Sequence, residues 1–121
     1  MNHTLVIAEA GVNHNGDIDL AFQLVEAAAE AGADVVKFQT FQSKNLATDK
    51  ADKAAYQKET TGETENQLAM LQKLGITHDQ HLQLMDHCNA FGIEFLSTAF
   101  DAVSINLLAA LNLQRWKIPS G

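Results

Sequence analysis

Two short apolar runs with a helical repeat between them constrain this chain more than any other feature. Leu5-Val6-Ile7-Ala8 ends at Glu9 and Gly11 and reads as a buried strand. Val35 to Gln39 reads as a second. Between them Ile18, Ala21, Phe22, Val25, Ala28 and Ala29 recur at the spacing of one helix face. Gly32 stands where a left-handed residue ends such a helix. Strand, helix and strand joined by short connections predict a parallel pair. The pattern then resumes. Thr77 and Gln80 match a capping box, in which each side chain satisfies the other's free backbone donor. The helix they open is expected to line up Leu82, Met85, Cys88 and Phe91 on one side and to end at Gly92. Glu94 to Ser97 is a predicted third strand. Asp101 or Ser104 caps a helix through Ile105, Leu108 and Leu111, and Arg115 to Ile118 is a predicted fourth strand. Leu68 to Leu74 predicts a short helix. Residues 41 to 66 are polar without a sustained period, the character of a functional loop or lid.

Four strands alternating with helices, and no antiparallel hairpin signal, define an α/β chain. The candidates are an open doubly wound sheet and a closed barrel. Glu9-Ala10-Gly11-Val12-Asn13 stands where a dinucleotide fold carries Gly-x-Gly-x-x-Gly, which argues against the open sheet. A TIM (β/α)8 barrel needs eight strands and roughly 250 residues. Residues 1–121 therefore predict the N-terminal half of one. At 46% hydrophobic residues the chain is not disordered, and a formal net charge of -7 argues against a nucleic-acid or anionic-membrane partner. The single cysteine, Cys88, allows no internal disulfide, which fits a reducing cytoplasm. No signal peptide and no apolar run of transmembrane length is read in it.

Side chains alternate along parallel strands. Leu5, Ile7 and Glu9 share one face, as do Val35, Lys37 and Gln39, while Lys117 points opposite to Trp116 and Ile118. Each strand thus carries a polar group near its C-terminal end, with Thr98 at the same level, and that end of a barrel is where catalysis sits. An unpaired buried ammonium costs several kcal/mol, so Lys37 and Lys117 on one rim call for anions. Glu9 supplies one charge. A phosphorylated, carboxylate-bearing substrate would supply the rest, with Thr98 and Ser120 donating hydroxyl hydrogen bonds. Either lysine alone could simply reach solvent beside a carboxylate. The set of Glu9, Lys37, Gln39, Thr98, Lys117 and Ser120 favours a site.

Four segments carry a resemblance. Ile7-Ala8-Glu9-Ala10-Gly11-Val12-Asn13-His14-Asn15-Gly16 resembles the opening motif of the sialic acid synthases. Val36-Lys37-Phe38-Gln39-Thr40-Phe41 is similar to their second-strand motif, Ser97-Thr98-Ala99-Phe100-Asp101 to their Ser-Thr-Pro-Phe-Asp element, and Trp116-Lys117-Ile118-Pro119-Ser120-Gly121 to their Lys-Ile-x-Ser-Gly-Glu element. The motifs occur in family order across essentially the whole chain. The family includes synthases of N-acetylneuraminate, legionaminate and pseudaminate. The resemblance implies a transferase in which C3 of phosphoenolpyruvate attacks the aldehyde carbon of open-chain N-acetylmannosamine or a related N-acetylated amino sugar, water adds at C2, and phosphate leaves. It implies that Lys37, Thr98, Lys117 and Ser120 hold the phosphate and carboxylate of phosphoenolpyruvate, that Gln39 contacts the amino sugar, and that Glu9 is a catalytic carboxylate. Asn13 and His14 belong to the first motif without an assigned role. A divalent ion, manganese or magnesium, is implied as Lewis acid, with histidine ligands expected downstream of Gly121. The motif's glutamate and a C-terminal antifreeze-like domain are expected there too. Ala99 departs from the family's proline but removes no functional group.

Other groups read more plainly. His78, His81 and His87 are expected as exposed helix histidines rather than metal ligands, Cys88 as a small buried hydrophobe, and Trp116 as packed between strand and helix layer. Two rival readings stay open: a Schiff-base sugar aldolase using Lys37 or Lys117, and an inactive structural fragment. The open edges of four strands are expected to drive association of the chain into a homodimer or larger assembly.

Overall fold

The computed structural model describes residues 3–41 and 74–120. Strand β1 (Ile7–Gly11) leads to helix α1 (Ile18–Glu30) and strand β2 (Val35–Thr40). Helix α2 (His78–Phe91), strand β3 (Glu94–Ala99) and helix α3 (Ala102–Ala110) follow. The three strands form one parallel sheet in the order β1-β2-β3, with β1 and β2 joined by the β-α-β winding that their short connections dictate. The expected helix at Leu68 to Leu74 and the expected lid fall almost wholly outside the described residues.

The helix ends follow their local chemistry. Asp17 accepts from the Asp19 amide to open α1, and Gly32, at φ 87°, closes it beyond Ala31. Thr77 and Gln80 form the reciprocal capping box of α2, at 3.1 and 2.9 Å, and Gly92 ends that helix at φ 69°. Asp101, not Ser104, caps α3, accepting from the Ser104 amide at 2.7 Å. Asp34 aligns the sheet's near end: its carboxylate accepts from the Val6 amide at 2.8 Å.

The core lies between the sheet and α1 with α2. Val36, Phe38 and Phe95 on the strands meet Ala21, Val25, Leu84 and Cys88 on the helices, and Phe38 stacks on Phe95 with ring centroids 5.7 Å apart. Each fully buried side chain of this kind contributes on the order of 1.5–3 kcal/mol. Ala99, Leu108 and Leu111 form a second cluster that seats α3 against the end of β3.

Five expectations need correction. The fourth strand is a single bridge, Thr98 to Lys117; Trp116 and Ile118 are exposed, so among the described residues no apolar layer holds the segment as a strand. Trp116 is accordingly not packed under a helix. The buried side of α2 is His81, Leu84 and Cys88, while Leu82 and Phe91 are exposed, because the helix turns a polar residue inward to meet polar strand positions. His81 is therefore fully buried rather than an exposed helix-start histidine. Finally β1 begins at Ile7, and Leu5 and Ile7 are exposed: their face of the sheet has no covering layer among the described residues. No described helix is long and apolar enough to cross a membrane.

Candidate functional site

Glu9 and Lys37 occupy paired positions in β1 and β2. Their side chains meet on the sheet face away from the helices, with Lys37 Nζ 2.7 Å from Glu9 Oε2. The Lys37 side chain is 17% exposed and that of Glu9 52%. The pair is thus open to solvent on the carboxylate side and enclosed on the ammonium side. One pleat further along, Gln39 pairs with Thr98 in β3, and Thr98 bridges to Lys117. Five polar positions from four segments thereby lie in two successive rows at the C-terminal ends of the strands. Adjacent strands are about 4.8 Å apart, so the rows span the width of a small anionic molecule.

Gly11 belongs to this constellation, and sequence reasoning used it only as a strand boundary. The β1–β2 register slips between Glu9 and Gly11, so Gly11 pairs with Phe38. Its φ is 53°, in the left-handed region that L side chains rarely adopt. A Cβ there would stand 3.2 Å from Glu9 Oε1 and 3.6 Å from Gln39 Nε2. The glycine lets the Glu9 carboxylate and the Gln39 carboxamide draw close to the backbone. The signal was available in the sequence: a glycine two residues after a strand-end carboxylate marks a bulge or a close approach.

Lys117 joins these rows through its backbone bridge alone, and the remaining expected site residues are placed differently. Lys117 is exposed and its ammonium donates to the carbonyl of Ile118 at 2.7 Å; Ser120 is exposed. Asn13 is exposed in the loop after β1. His14 is buried and folds back over Phe38, ring centroids 6.0 Å apart. Since Phe38 alternates away from Lys37 and Gln39, His14 lies on the helix side of the sheet. Its Nδ1 accepts from the Gly16 amide at 2.9 Å. The proton of the neutral ring is therefore on Nε2, which is buried with no hydrogen-bond partner among the described residues. Burial lowers the pKa of His14 and keeps it neutral. A hollow of about 330 Å³ lies elsewhere: Met85, Asn89, Glu94, Phe95, Asn112 and Leu113 line it at the opposite end of β3.

A second polar cluster was not foreseen. His81 Nε2 is 2.8 Å from the Thr40 hydroxyl, which is 2.6 Å from the Ser97 hydroxyl, and His81 Nδ1 is 2.7 Å from the carbonyl of Thr77. All three side chains are buried. Cys88, in the same layer, is inert: burial pushes its thiol up to about 12. Among the described residues no three His, Cys, Asp or Glu side chains are grouped to hold a metal ion, so no chemical step is assigned to one.

A parallel α/β sheet with an ion pair and with amide and hydroxyl groups at its C-terminal strand ends defines the class of fold and candidate site. Within it, the chain belongs to the NeuB family, whose model matches residues 24–121. It is 54% identical over its whole length to an N,N'-diacetyllegionaminic acid synthase of Campylobacter jejuni, covering 36% of that protein. It is 51% identical over 96% of its length to an N,N'-diacetyllegionaminic acid synthase of Legionella pneumophila, covering 33%. The crystal structure of an N-acetylneuraminic acid (sialic acid) synthetase from Leptospira borgpetersenii, in complex with citrate, superposes with a TM-score of 0.76. The identity is 29%, over 97% of this chain and 36% of that one. The chain thus spans about a third of the length of the curated relatives it matches.

Proposed function

We propose that this chain supplies the N-terminal half of the catalytic barrel of a nonulosonic acid synthase, which joins phosphoenolpyruvate to an N-acetylated amino sugar and releases phosphate. The observation that carries this reading is the Glu9–Lys37 pair at paired strand ends, with Gln39, Thr98 and Lys117 one row beyond. Phosphoenolpyruvate brings a carboxylate and a phosphate. Lys37, Lys117, Thr98 and Ser120 supply two ammonium groups and two hydroxyls to hold them. Gln39, beside the Glu9 carboxylate, offers an amide donor and acceptor to the sugar. Glu9 lies next to the reacting carbons, where a carboxylate can stabilise positive charge developing at C2 or take a proton from the water that adds there. The divalent ion implied by the resemblance takes its ligands from outside these residues. The protein works in the cytoplasm as a homodimer.

Identities of 54% and 51% to two N,N'-diacetyllegionaminic acid synthases, against 29% to an N-acetylneuraminic acid synthetase, favour an N,N'-diacetylated sugar as acceptor. Engagement of Lys37 as an ammonium favours anion binding over attack on a carbonyl. The test is phosphate release by the protein expressed from its full reading frame, with phosphoenolpyruvate and each candidate sugar. The expected result is release that requires both substrates, with a nine-carbon or larger keto acid in the mass spectrum. Sugar-independent release would refute the reading, and borohydride trapping of substrate on a lysine would favour the aldolase instead.

A further inference from the structure

The buried His81, Thr40 and Ser97 cluster is unused by the chemistry proposed above, yet it sits directly behind it. Hydrogen bonding fixes the direction of every proton in it. The Thr77 carbonyl can only accept, so His81 Nδ1 carries the proton and donates at 2.7 Å. Nε2 then accepts from the Thr40 hydroxyl at 2.8 Å. Thr40 has spent its one proton, so Ser97 donates to it at 2.6 Å. The result is a one-way chain from Ser97 in β3 through Thr40 in β2 to His81 and the N-cap of α2. Its neighbours are apolar: Phe95 meets the His81 ring edge-on at 6.1 Å, and Leu84 and Cys88 flank it on α2.

Such a network contributes little net stability, because well-packed apolar residues of the same shape are often as good or better. What it does fix is position. Thr40 follows Gln39, and Ser97 precedes Thr98; Gln39 and Thr98 are paired in register and face the other side of the sheet. The geometry points to His81 as a positioning residue, which ties the ends of β2 and β3 to the head of α2 and so sets the separation of Gln39 from Thr98. This inference rests on the proposed site for its catalytic consequence, but not for its structural one.

The test uses the protein from its full reading frame in four forms. His81→Phe keeps the ring and removes both nitrogens. His81→Gln can present an acceptor to Thr40, whereas His81→Asn reaches only back toward Thr77. Thr40→Val keeps the shape and cuts the chain in the middle, and serves should His81→Phe not fold. The expected result is a 10- to 100-fold fall in kcat/KM for His81→Phe and Thr40→Val, measured below the Tm of each variant, which falls modestly because buried partners lose a hydrogen bond. His81→Gln should recover most of the loss and His81→Asn little of it. Amide hydrogen exchange at Gln39 and Thr98 should accelerate at least tenfold in His81→Phe or, if that does not fold, in Thr40→Val. Wild-type kinetics in Thr40→Val, or equal rescue by Asn and Gln, overturns the proposal. Unchanged exchange overturns it whatever the activity. A wild-type protein that makes no sugar acid but shows the accelerated exchange in the variants would sink the synthase reading and leave the positioning role standing.

Discussion

Lys37 and Glu9 are opposed across the β1–β2 ladder, and their charges touch at 2.7 Å. An ammonium enclosed by protein and answered by a half-exposed carboxylate has only part of its charge satisfied. In the proposed function, an incoming anion would find Lys37 already ordered and Glu9 free to turn toward solvent. Lys37→Ala should lower kcat/KM for phosphoenolpyruvate by an amount equivalent to about 2–5 kcal/mol, the cost of losing one member of an enclosed charge pair. The Tm should move little, since Glu9 can be solvated. Steady-state kinetics with phosphoenolpyruvate varied checks this, and unchanged kinetics would remove Lys37 from the site.

Gly11→Ala tests the bulge. The methyl group would have to enter a left-handed backbone position, at roughly 1–2 kcal/mol, and stand 3.2 Å from Glu9 Oε1. The expected outcome is a modest drop in Tm with a much larger drop in kcat, because the carboxylate is pushed from its place. Thermal melts and rate measurements on the same preparation separate the two. A change in Tm with no change in rate would show that the glycine serves the backbone alone.

Stability should depend on pH through His14 and His81. Desolvation lowers both; for His81 the Thr77 hydrogen bond opposes that effect and nearby His78 adds to it. A histidine whose folded pKa is below the unfolded value of 6.5 takes up its proton more readily when unfolded. Stability is thus full above about pH 6.5 and falls as the pH drops below it, by up to about 1.4 kcal/mol per pH unit for each histidine. Urea titrations between pH 5 and 8 should show this slope, and His81→Gln should make it shallower. A slope of the opposite sign would mean that these rings are charged in the folded protein.

The 121-residue chain on its own should associate. Leu5, Val6, Ile7 and Ile118 are exposed, between 39% and 74%. β1 has an unpaired edge among the described strands, and beyond β3 there is one bridge. Exposed apolar edges recruit further strands. Light scattering at micromolar concentration should give a dimer or larger species; a stable monomer would contradict the edge argument.

The parallel winding was legible because it rests on local signals: the periodicity of α1, the capping box at Thr77 and Gln80, and the glycines at 32 and 92. The facing of Glu9, Lys37 and Gln39 was legible because alternation along a strand is strict. The segment Arg115 to Ile118 was overread, since its apolar residues show only that it could be a strand. Whether it is one depends on neighbours on both sides. The burial of His81 was missed for a related reason. A helix histidine beside His78 looks exposed until Thr40 and Ser97, far apart in sequence, are seen to put hydroxyls on the helix side of the sheet. Two polar residues at the Phe38 and Phe95 face were the available sign that something polar must answer them.

If Gln39 contacts the sugar as proposed, the back-to-back arrangement of Gln39 with Thr40, and of Thr98 with Ser97, bears on attempts to change the acceptor. Libraries that randomise Gln39 alone treat its neighbourhood as a wall with one side. Here each strand end is read from both sides at once, so a new residue at 39 works within a spacing held by hydroxyls at 40 and 97. Selection for a larger or smaller acceptor would then enrich paired changes, one on each side of the sheet. Campaigns confined to one face of the sheet would stall on variants that fold well and turn over slowly.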